Sequence, residues 1–185
     1  HEDPEDEDQS VRIIDIRTSA RDSASGTKEA SLDHGACIED TVRYTGLTPG
    51  KTYTLKGRIV SGFTGSDVTE DGRPVSSEAE FIPDSPDGEV VMYFFLDTEM
   101  LQGEKLVVFE RLYTGAMPDD AESDTVPVAV HEDINDADQT VTVPVRPPEI
   151  VDTGYEPRTG SAAAMMAASG LGLAWIMLRK RDRRR

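Results

Sequence analysis

Between residues 11 and 145 no stretch of the chain sustains a 3.6-residue apolar period, which argues against a helical body. Short runs take its place: VRIIDIRTSA, CIEDTVRYTGL, TYTLKGRIV, SEAEFIP, EVVMYFFL, KLVVFERLY, VPVAVH and QTVTVPV. Between them lie TPGK, TEDGRP, PDSPDG, LQGE and MPDD, whose Pro, Gly and Asp residues carry turn chemistry. Seven or eight short strands in roughly 130 residues predict an all-β fold, an immunoglobulin-like antiparallel β-sandwich.

The chain opens HEDPEDEDQSV and reads HEDINDADQTV at residues 131–141, with seven of eleven positions identical at an offset of 131 − 1 = 130 residues. A solenoid repeat runs to about 20–50 residues, whereas this period is the size of a whole domain. Residues 1–11 therefore read as the last strand of a preceding repeat and residues 12–147 as one complete domain. The chain is expected to be the C-terminal piece of a longer protein. A Pro/Gly linker at 148–160 leads into SAAAMMAASGLGLAWIML, residues 161–178, eighteen residues without a charge. That length is at the short end of what crosses a bilayer, and Trp175 falls at interface depth. The basic tail at 179–185, RKRDRRR, predicts a single transmembrane helix with a cytoplasmic C-terminus.

Charge and composition remove several classes. The net charge is −17, and the tail contributes 6 − 1 = +5, so everything upstream carries −22. An acidic body has no basic face to neutralise phosphates, so nucleic acid is not an expected partner. The one cysteine, Cys37, allows no intrachain disulfide and no paired-cysteine zinc site, and reads as a small buried hydrophobe. DINDADQ follows an EF-hand from Asp133 only in part, because Asp138 and Pro144 stand where Gly and Glu are required. No GxSxG elbow and no Gly-rich phosphate loop occurs. No cofactor or metal is expected.

Alternation along the strands marks polar residues in apolar rows. Thr18 shares a face with Ile14, Ile16 and Ala20. Glu110 shares one with Leu106, Val108 and Leu112, and Gln139 with Val141, Val143 and Val145. A buried carboxylate without a partner costs several kcal/mol or takes up a proton, and a buried amide must find partners. Parity leaves two readings open. One is a satisfied polar cluster that fixes strand register. The other is that Thr18, Glu110, Gln139 and nearby His131 meet as one constellation.

VRYTGLTPGKTYTLKGRIV, DGRPVSSEAEFIP, KLVVFERLY and VAVHEDINDADQTVTV together resemble the VaFE-repeat, or Thr–Gln ester-bond, domains of Gram-positive surface adhesins. The resemblance covers residues 12–147, with VVFE at 107–110 as the name-giving element. It implies an immunoglobulin-like sandwich and an internal ester between Thr18 and Gln139, with Glu110, His131 and Asp136 assisting. It also implies that the chain is not a turnover enzyme. The segment DSASGTKEASLDHGA is longer than the family pattern, and Arg17 stands where a small residue is usual. EPRTG resembles a sortase sorting signal, with Pro157, Arg158, Thr159 and Gly160 in place and Glu156 where Leu is usual; IVDTG at 150–154 is a second candidate. Sortase, peptidoglycan or a pilin, and neighbouring repeats of the same chain are the implied partners, at the cell wall or cell surface. The host ligand is not implied. The competing readings are a ligand-binding sandwich without a cross-link, a secreted hydrolase, and a Lys–Asn isopeptide variant through Asn135.

Overall fold

The computed structural model describes residues 13–117 and 125–148. The expected preceding-repeat strand, the sorting motif, the apolar span and the basic tail lie outside the described residues. Every described strand belongs to the unit His1–Arg146; of the second unit, Pro147–Arg185, only the first two residues are described.

Among the described residues, ten strands form two main antiparallel sheets and one small hairpin. The first sheet orders β1 (Asp15–Asp22), β2 (Ala36–Thr45) and β7 (Gly88–Leu96) as β1-β2-β7. The second contains β3 (Tyr53–Ser61), β6 (Ser76–Phe81), β8 (Lys105–Thr114), β9 (Ala129–His131) and β10 (Thr140–Thr142). Its order is β10-β8-β3-β6, and β9 also pairs with β8. The hairpin joins β4 (Thr69–Glu70) to β5 (Arg73–Pro74). Its centre is Asp71-Gly72, with φ of 50° and 76°. Positive φ at both central residues is what a type I′ turn demands, and Asp-Gly meets it at low cost. The sequence pattern marked this stretch only as a turn.

The rows predicted to point inward do so. Ile16, Thr18, Ala20 and Asp22 alternate with exposed neighbours on β1, and one apolar cluster unites Ile38, Val42, Met92 and Phe94 with Leu55, Ile59, Val108 and Val141. The two sheets therefore share a single core between them. Three details differ from the sequence reading. Cys37 stands on the outward row of β2 and is half-buried, because Ala36 and Ile38 take the inward positions. VPVAVH and QTVTVPV pair as strands over only three residues each, flanked by Pro127 and Pro144, which have no N–H to donate to a ladder. Val145, past that point, leaves the buried row and is 67 % exposed.

Candidate functional site

One edge of β8 is shared by two strands. β10 pairs with its first part, Thr140↔Val107 and Val141↔Leu106, and β9 pairs with its second, Glu110↔His131. The loop between them leaves the ladder after His131 and returns at Gln139, whose carbonyl accepts the Val108 N–H at 3.0 Å. Gln139 thus enters the core at the gap in the edge, beside Glu110. On the facing sheet, Thr18 on β1 pairs with Val42 and Ala20 pairs with Asp40, so Asp40 lies inward and diagonal to Thr18. The edges join where Ala20 N–H donates to the Asp138 carbonyl at 2.8 Å.

Gln139 is fully buried and its amide orientation is fixed. Nε2 donates towards Val108 O at 2.6 Å, His131 O at 2.9 Å and Glu110 Oε2 at 3.0 Å. Two of these are carbonyls that only accept, so a flipped amide would set oxygen against oxygen. Oε1 accepts the Asp133 N–H at 3.2 Å.

Asp40 and Glu110 are both wholly buried. Both Asp40 oxygens, Glu110 Oε1 and Thr18 Oγ1 are without a hydrogen-bond partner among the described residues. The Thr18 hydroxyl lies beside both carboxyls, and Asp40 beside Glu110, close enough to shift their titration but without a well-aligned bond. Burial raises Asp40 above the ordinary carboxylate range. Burial, followed by the neighbouring Asp40 charge, raises Glu110 well above it. Two adjacent buried carboxyls cannot both ionise cheaply, and one proton held between them supplies the donor that two carboxylates lack.

His131 Nε2 lies 3.2 Å from Asp136 Oδ2, and Nδ1 is 3.9 Å from Glu110 Oε2. A carboxylate at Nε2 favours the tautomer with its proton there. Nδ1 is then the basic atom, and it is buried without a hydrogen-bond partner among the described residues.

The structure brings Thr18, Gln139 and His131 each against Glu110. Asp136 is 28 % exposed in its side chain and reaches His131 rather than the amide. Asp40 was missed, though its signal has the same form: Ile38, Asp40, Val42 and Tyr44 alternate on one face of β2, with a carboxylate in an apolar row.

A family model described as a T-Q ester bond containing domain matches residues 14–143. No curated protein matches the chain. Among solved structures, it is similar to a bacterial adhesin from Mobiluncus mulieris containing intramolecular disulfide, isopeptide and ester bond cross-links. In one crystal form the TM-score is 0.60 at 19 % identity, over 73 % of this chain and 58 % of that one. In a second it is 0.58 at 17 % identity, over the same shares. The chain spans little more than half the length of these structures, and at such identity the likeness concerns the fold.

Proposed function

We propose that this chain, which belongs to the family of T-Q ester bond containing domains, forms an ester between Thr18 and Gln139 and serves as a covalently locked spacer of a surface adhesin. One observation carries the reading: a buried, orientation-locked Gln139 amide and an unpaired Thr18 hydroxyl both lie against the same buried carboxyl, Glu110.

The groups present supply each step. His131 Nδ1 takes the Thr18 hydroxyl proton as Oγ1 attacks the Gln139 side-chain carbonyl carbon. The developing negative charge falls on Oε1, where the Asp133 N–H already points. The carboxyl pair, through Glu110 at 3.0 Å from Nε2, passes a proton to the nitrogen as the C–N bond breaks. Ammonia leaves, and the proton held by His131 returns to the pair; each domain reacts once because the ester consumes both Thr18 and Gln139. Asp136 orients the imidazole, and folding supplies the proximity that makes an unactivated amide reactive.

The cross-link joins the first strand to the last, so tension entering at β1 leaves at β10 without loading the body between them. It closes a loop of 139 − 18 = 121 residues. By analogy with a disulfide, that removes unfolded-chain entropy equivalent to about 4–5 kcal/mol. The C-terminal pattern supports anchoring: sortase cleaves between Thr159 and Gly160 and joins Thr159 to peptidoglycan or a pilin, after residues 161–178 have held the chain in the membrane. On this reading residues 1–11 keep the His1, Asp6, Gln9 spacing of a preceding repeat whose Thr lies upstream. Adhesin neighbours in fold support a location at the cell surface.

A ligand-binding module remains the second reading, favoured by Val91, Tyr93 and Phe95, which form an exposed apolar row on β7. The intact mass of the denatured chain separates the two. The ester reading expects wild type to be one ammonia lighter than its sequence, with Thr18→Ala and Gln139→Ala at full mass. Full mass for wild type overturns it and leaves the β7 row as the functional surface.

A further inference from the structure

The segment between β1 and β2 runs to β10 as a strap. Its start is tied by Asp22, whose carboxylate accepts the Ser25 N–H at 2.8 Å, the Ser31 N–H at 3.1 Å and the Ser31 hydroxyl at 2.9 Å. Its middle pairs with β10: Thr142 N–H donates to Lys28 O, and Ala30 N–H donates to Thr142 O, both at 2.8 Å. Glu29 and Thr142 form a parallel bridge. At the crossing, Lys28 Nζ turns back and donates to two main-chain carbonyls, Ala20 O and Asp138 O, each at 2.5 Å. Ala20 is the next inward residue after Thr18, and Asp138 immediately precedes Gln139.

Resting on the ester reading, we infer that Lys28 is a positioning residue for the cross-link, clamping the strand that carries Thr18 to the segment that carries Gln139. The clamp uses only main-chain carbonyls. It therefore survives the reaction, whereas the hydrogen bonds made by Gln139 Nε2 depart with the ammonia. Lys28 also brings a partly buried positive charge to the site. Asp138, Asp40 and Asp136 face it, and burial lowers its own pKa against their attraction. Asp40 in turn faces Glu110, Thr18, Lys28 and His131. A cation on the Asp40 side biases the shared proton towards Glu110, the carboxyl that lies against the leaving nitrogen.

The test follows ammonia loss by mass after the unfolded chain, recovered from inclusion bodies in urea, is diluted into buffers from mildly acidic to mildly alkaline pH. Rates are taken on the folded fraction, for wild type, Lys28→Met and Lys28→Arg. Lys28→Met is expected to be slower by roughly tenfold to a hundredfold, the scale of small misplacements of reacting groups. Its acid limb is expected at higher pH, because removing the cation makes Asp40 harder to ionise. Lys28→Arg keeps the charge and is expected to keep the wild-type limb and recover most of the rate. If wild type loses ammonia and Lys28→Met does so at the same rate with the same limb, the inference is overturned while the ester stands. Slowing shared by both variants without a shifted limb also overturns it. If wild type loses no ammonia, the ester reading itself fails and the inference goes with it.

Discussion

Asp40 decides whether the cluster is chemistry or ballast. Asp40 is wholly buried with a second carboxyl, Glu110, beside it, a pairing that is costly unless a proton is shared and that register alone does not require. Replacing Asp40 by Asn keeps the shape and removes the proton-sharing partner of Glu110. Ammonia loss should slow by about 10²–10⁴-fold, the usual contribution of a positioned acid or base. Stability gives a second readout. Burial raises Asp40 in the folded state, so its contribution is fully present below the ordinary carboxylate pKa and is lost as pH rises through the folded value. A Thr18→Ala chain, which cannot cross-link, should therefore lose stability with rising pH above the ordinary carboxylate range. Adding Asp40→Asn should flatten that loss in urea unfolding at a series of pH values. A steep loss that the second substitution leaves unchanged would show that Asp40 is not titrating there. The residue was legible by the same alternation that exposed Thr18, Glu110 and Gln139; what hid it was its position among the polar residues of CIEDTVRY.

At the scale of elements, period-2 alternation foretold the main strands and their inward rows, because a strand buried on one face must alternate. It did not foretell that two strands would share one edge of β8. That arrangement depends on the loop leaving the ladder after His131, a matter of tertiary pairing with no local sequence period. The same limit hid the strap, whose length was visible but whose docking on β10 was not. Gly57 shows another pairing effect. It lies opposite Glu110 on β8, and a Cβ there would meet Phe94 Cζ at 2.7 Å and Met92 Cε at 3.3 Å. Met92 in turn lies opposite Asp40. The missing side chain lets the facing sheet close over the carboxyl pair. Gly57→Ala should cost about 1–3 kcal/mol by overpacking in the cross-link-free Thr18→Ala background, measured by urea unfolding. An unchanged midpoint would mean that Phe94 has room to move aside.

For the whole molecule, the placement of the linked residues matters more than the sandwich itself. Among the described residues Thr18 lies on the first strand and Gln139 immediately precedes the last, so the proposed bond would tie the two ends of the chain's passage through the domain. On the proposed reading, a body with one half-buried cysteine gains from this bond the loop closure that a disulfide gives elsewhere. The most direct test is to locate the bond. Trypsin cuts after Arg17 and Arg21, releasing residues 18–21 as TSAR, while Gln139 leaves in a long peptide that begins at Leu112. The account predicts one branched species joining TSAR to that peptide, with a mass equal to their sum less one ammonia and fragments that place the junction at Thr18 and Gln139. Recovery of TSAR and the Gln139 peptide as separate species at full mass would contradict it.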